Sequence, residues 1–157
     1  MTVTQQQVAT LRAQLAGDVE EHRRLLTCLD ESDAAGYATL LTAAFCEAVE
    51  RRFGTDPDPA AVIEFVGEMR ARSELIRDQL SAEFAERMIL SVSAPADRSD
   101  GPGDPAGPDD LSDLDDETVI GVQLMITGSL IGDETLNGDG LDAFVATVRS
   151  TAVRFTR

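Results

Sequence analysis

The stretch Asp133–Phe144, DETLNGDGLDAF, comes nearest to a ligand site among the residue patterns of this 157-residue chain. An EF-hand calcium loop sets oxygen ligands at fixed offsets around an invariant glycine turn, and Asp133, Asn137 and Gly138 occupy its positions one, five and six. Asp133, Asn137 and Asp139 are therefore the candidate metal residues, and weak calcium binding is the chemistry they would support. The pattern departs where affinity is decided. Position three is Thr135, position eight is Gly140 in place of an apolar residue, and position twelve is Phe144 in place of a bidentate glutamate. A turn and a helix cap account for the same residues: Asn137 and Gly138 suit the turn, Asp139 suits the cap, and Asp142 follows three residues later as a capping-box acid would. The lost ligands favour this second reading.

Other reactive side chains lack partners. His22 is the only histidine. A di-iron bundle needs a glutamate three residues before each of two histidines, but position 19 is Val, and a zinc site or a catalytic triad fails for the same want of partners. His22 is expected at the edge of the core with its tip toward water. Cys28 and Cys46 lack metal or redox spacing and are expected as small buried hydrophobes. Carboxylates are plentiful, yet Glu20–Arg24, Glu47–Arg51, Glu68–Arg72 and Glu83–Arg87 place acid four residues before base, as on solvated helix faces. Gly101, Gly103 and Gly107 sit among prolines and aspartates that would repel a phosphate.

The segment around the Asp133 turn resembles the loop between helices in TerB-like tellurite-resistance domains, which place an acidic turn between two apolar helices. The likeness covers about Val119 to Val148, lacks that family's Asp-Gly step at Asp133-Glu134, and implies no activity.

These residues have to be positioned by helices. Val8, Leu11, Leu15, Val19, His22, Leu26 and Leu29 recur at three and four, which predicts one long amphipathic helix from near Thr4. Asp30, Ser32 and Asp33 offer a turn and a new cap, and Tyr37 to Phe53 forms a second stripe that ends at Gly54. The short link between the two predicts antiparallel neighbours. Asp58 and Pro59 mark the start of a third helix with Val62, Phe65, Val66 and Met69 on its face. A break near Ser81 is favoured within Ala71–Val92. Val119 to Ile131 is apolar on nearly all sides, predicting a centrally buried helix, with a strand over 118–127 as the alternative. Leu141, Phe144, Val145, Val148, Ala152 and Phe155 predict the last helix.

Between these blocks, Ala94–Glu117 holds nine acids and one Arg, a net of −8 within a chain of −16. Its Pro, Gly, Ser and Asp content predicts a flexible linker with a reach of roughly 27 Å. The expected fold is thus all-α: an antiparallel bundle of five or six helices, with an N-terminal block at 1–93, the acidic disordered insert at 94–117 and a C-terminal helical hairpin at 118–157. The hairpin would pack on the first block in cis or in trans, making one domain.

Charge narrows the partners. A net of −16 argues against nucleic acid and anionic membranes and leaves basic proteins or a second copy. No signal sequence or bilayer-length apolar run is visible, so a cytoplasmic protein is expected. Thirteen Arg and no Lys suggest a high-GC bacterial genome. The functional expectation is a non-enzymatic interaction or self-association module without a cofactor, and the alternative is a metal-regulated, weakly calcium-binding helical protein. An enzyme with isolated carboxylates and a nucleic-acid mimic rank below both.

Overall fold

The computed structural model describes residues 3–92, 115–134, 136 and 138–155, and every regular element among them is a helix. They are α1 (Gln5–Leu15), α2 (Val19–Cys28), α3 (Glu31–Phe53), α4 (Pro59–Arg72), α5 (Glu74–Gln79), α6 (Ala82–Val92), α7 (Asp116–Glu134) and α8 (Gly138–Phe155). The all-α class stands, with eight described helices where five or six were expected. Residues 118–127 are helical, which removes the strand alternative. The acidic stretch lies outside the described residues as far as residue 114. Its end is structured: Asp115 accepts a bond from the Thr118 amide at 2.7 Å and caps α7. The helices cluster into two compact units, one of residues 1–48 with 126–157 and the other of residues 49–125.

In the first unit, the expected helix from Thr4 to Leu29 is broken. α1 opens on a capping box in which the Thr4 side chain accepts from the Gln7 amide and the Gln7 side chain accepts from the Thr4 amide. It closes at Gly17, whose φ of +75° suits a residue without a Cβ. The Gly17 amide bonds to Gln14 O and the Asp18 amide to Ala13 O, a Schellman pair that satisfies the last carbonyls. Asp18 then caps α2 through the Glu21 amide.

The break changes which residues are buried. Leu11 is fully buried, while Val8, Leu15 and His22 are half-buried; Val19 is 63% exposed and Leu26 43%. Leu25, next to Leu26, turns inward instead. α2 therefore lies on α1 with its apolar stripe displaced outward, and no residue of α2 is fully buried. Cys28 is exposed and Cys46 half-buried, so neither is the buried hydrophobe expected of it. The core comes from α3 (Leu40, Ala44, Phe45), α7 (Ile126, Leu130) and α8 (Leu141, Phe144, Val148), each of these side chains other than Ala44 contributing about 1.5–3 kcal/mol through its burial. α3 packs against α8, and α8 against α1. Phe155 stands 52% exposed, outside the core.

Two polar clusters tie α3 to α1 and α2. Gln7 is 2% exposed, and its amide donates to Asp33 O at 2.9 Å while its carbonyl accepts from the Thr4 amide at 2.9 Å. Gly36 makes room for that side chain: a Cβ there would lie 2.5 Å from Gln7 Nε2. Further along, Tyr37 donates its hydroxyl to Gln14 Oε1 at 2.9 Å, and His22 Nε2 approaches the Tyr37 hydroxyl oxygen at 3.4 Å. His22 thus points its tip at Tyr37, where water was expected. Burial pushes the Tyr37 hydroxyl up to about 12.

The second unit is set by local signals. Gly54, at φ +74°, ends α3 with its amide on Glu50 O, as anticipated. Asp58 caps α4 through the Ala60 amide, with Pro59 at the first helical position. Val62, Phe65, Val66 and Met69 are buried as expected, α4 packs on α6, and Phe53 meets Phe65 edge to face at 5.6 Å. The break at Ser81 is present, with its hydroxyl facing the Phe84 amide. A second break, at Ser73, makes the six-residue α5. α7 buries Val122 and Gln123 in this unit and leaves Val119, Ile120, Leu124 and Met125 half-buried, so none of these apolar side chains is exposed, although full burial falls on one side.

Among the anticipated ion pairs, Glu68–Arg72 forms at 3.9 Å. Arg24 pairs with Glu21 rather than Glu20, through two bonds of 2.7 and 2.8 Å. Three-residue spacing lets the planar guanidinium meet both carboxylate oxygens.

Candidate functional site

Of the residues singled out for metal chemistry, Asp133 and Asp139 are among the described residues. Asp133 is half-buried in the last turn of α7, Asp139 is exposed in the first turn of α8, and Asn137 and Thr135 lie outside the described residues. No three His, Cys, Asp or Glu side chains come together as a metal cluster among the described residues. α8 starts at Gly138, with φ +47°, so Asp139 belongs to the first turn and is not the residue before it. Asp142 does not close a capping box. It accepts a short hydrogen bond from Arg12 Nε on α1, and this bond, with the charge behind it, raises the guanidinium above its ordinary value.

That ion pair stands in an open groove of about 730 Å³ between α1 and α8. Its construction follows from helical spacing. On α1, Val8 and Arg12 are one turn apart; on α8, residues 142, 145, 146, 149, 150, 153 and 154 repeat at three and four along one face. Val8 and Val145 supply apolar wall, and Arg12, Arg149 and Arg154 supply three positive charges against the single carboxylate of Asp142. Arg149 and Arg154 are exposed and have no acidic partner among the described residues. Three arginines without a second acid make a basic patch on a chain of net −16. The arrangement has no nucleophile paired with a base; its chemistry is the attraction of carboxylates and the covering of aliphatic groups.

Nothing in the sequence pattern announced this groove. Arg12 and Asp142 are 130 residues apart, and only the fold joins them. The one local signal is that α8 carries no acid after Asp142 while holding Arg149 and Arg154.

A second surface lies on α2. Val19 and Leu26 are seven residues apart and share one exposed face, and Cys28 is exposed at the end of the same helix.

No protein-family model matches the chain, and no similar curated protein or solved structure is found. The resemblance of Val119–Val148 to TerB-like domains accordingly carries no family assignment. No helix among the described residues is long and apolar enough to cross a membrane.

Proposed function

We propose that the chain is a non-enzymatic protein-contact module that self-associates through α2. One observation carries this reading: a helix with apolar and charged residues segregated by sequence leaves Val19 63% exposed and Leu26 43% exposed on one face. Covering two such side chains removes apolar area from water at roughly 25 cal/mol per Å², and a soluble monomer gains nothing by displaying them together. The flanking Glu20, Arg23 and Arg24 are also exposed and would form a polar rim around that contact.

A thiol placed between Val19 and Leu26 supplies the test, Arg23→Cys in a Cys28→Ser background, because residue 23 is exposed and lies four residues after Val19 and three before Leu26 on the same face. Its alkylation should slow as protein concentration rises, and Val19→Ser with Leu26→Ser should restore the fast rate. Both substitutions fall on exposed positions and should leave the far-ultraviolet circular dichroism unchanged. An alkylation rate independent of concentration would refute self-association through α2.

A further inference from the structure

We propose that the groove between α1 and α8 receives the acidic stretch of a second copy of this chain. The inference rests on the reading of the protein as a contact module and names a different surface and its occupant. Two observations carry it. The groove presents Arg12, Arg149 and Arg154 beside the apolar walls of Val8 and Val145, with Asp142 as its one acid. The chain itself contains the complement: Asp109-Asp110-Leu111-Ser112-Asp113-Leu114 sets two leucines three residues apart among carboxylates.

Each half answers the other. Arginine guanidinium groups bind carboxylates through planar, paired hydrogen bonds, and Arg149 and Arg154 have no acidic partner among the described residues to displace. Leucine side chains match the valine walls, which a polyanion without aliphatic groups would leave uncovered. The rest of each copy is acidic, so long-range repulsion opposes the encounter. At physiological ionic strength the screening length is about 8 Å, which damps distant repulsion more than contacts made inside the groove. The same balance rejects nucleic acid, whose phosphates would meet the full acidic surface with only three arginines in return.

The test uses the full chain in near-physiological salt, with self-association followed by sedimentation. Arg149→Gln with Arg154→Gln should weaken association about tenfold or more, as removal of close charge pairs across an interface does. Asp109→Asn with Asp110→Asn and Asp113→Asn should weaken it equally. Mixing these two variants should restore association above that of either alone, because one retains the acids and the other the groove. The Arg variant should leave the concentration-dependent protection of the thiol at residue 23 unaltered, which separates this interface from α2. Association of the Arg variant at wild-type strength, or a mixture no stronger than its components, would overturn the proposal. Loss of protection at residue 23 by Val19→Ser with Leu26→Ser, without any effect of the Arg variant, would sustain α2 and reject the groove.

Discussion

Replacing Gly36 by alanine should destabilise this protein, although the same change in an ordinary helix interior stabilises. Gly36 lies within α3, where alanine is favoured over glycine by about 1 kcal/mol. Against that gain stands Gln7. The new Cβ would lie 2.5 Å from Gln7 Nε2 and 3.2 Å from both Cδ and Oε1, so the buried amide has to move. Movement forfeits its bonds to Asp33 O and the Thr4 amide, each 2.9 Å long. Leaving such a buried polar group unsatisfied costs about 1–3 kcal/mol. The net loss is then up to about 2 kcal/mol after the helical gain is subtracted. The decisive measurement is a cycle with Gln7→Ala, which removes every atom that the new Cβ would strike. In that background Gly36→Ala should stabilise by about 1 kcal/mol, so the two substitutions couple by about 1–3 kcal/mol. Urea unfolding followed by circular dichroism provides all four stabilities. A Gly36→Ala variant that stabilises equally in both backgrounds would show that Gln7 does not depend on the space at residue 36.

Tyr37 is the only tyrosine, and Trp is absent, so tyrosinate absorbance reads one group. The midpoint should fall near 12 in the folded chain and near the ordinary 10 in urea. Because the neutral hydroxyl is favoured in the folded state, this stability is present below pH 10 and is lost as pH rises from about 10 to about 12; a folded chain titrating near 10 would contradict the burial of that hydroxyl. Gly17→Ala should lower stability by about 1–2 kcal/mol, since φ is +75° and nothing lies near the new Cβ to compensate. Gly67→Ala, in α4 and also facing open space but without a positive φ, should instead raise stability by up to about 1 kcal/mol. Thermal melts of this pair check the signs, and equal effects would refute the distinction.

The features read correctly from sequence share a short range. Asp58-Pro59, Gly54 and Ser81 work within four residues of themselves, by capping amides or by taking a left-handed turn, so their neighbours in sequence suffice to identify them. Gly17 carried the same kind of signal with Asp18 beside it. It was masked because Val8 to Leu29 keeps its three-and-four spacing across the break. Periodicity counts residues and is blind to a Schellman turn that resets the helix axis. Once the axis is reset, the inward residue becomes Leu25 and Leu26 turns to water. Burial of Gln7 was beyond local reading for a different reason. A glutamine enters a core only where its hydrogen-bonding groups are matched, and the match involves Asp33 and the empty space at Gly36, more than two dozen residues away.

Asp142 shows the same limit at the candidate site. Its carboxylate had two competitors: the free amides at the start of its own helix, which the three-residue spacing from Asp139 suggested, and a cation brought by the fold. Capping rules count only the first. In the folded chain Arg12 supplies a charged donor, and a charge-assisted bond is roughly twice as strong as a neutral one. The helix begins two residues earlier than a cap at Asp139 would have it, at Gly138, and Asp142 turns across to α1. The carboxylate that forgoes a local cap thereby links α1 to α8 through an ion pair, in the groove that Arg149 and Arg154 also line. The loop that first drew attention as a cation site thus adjoins a helix whose outward face carries Arg149 and Arg154.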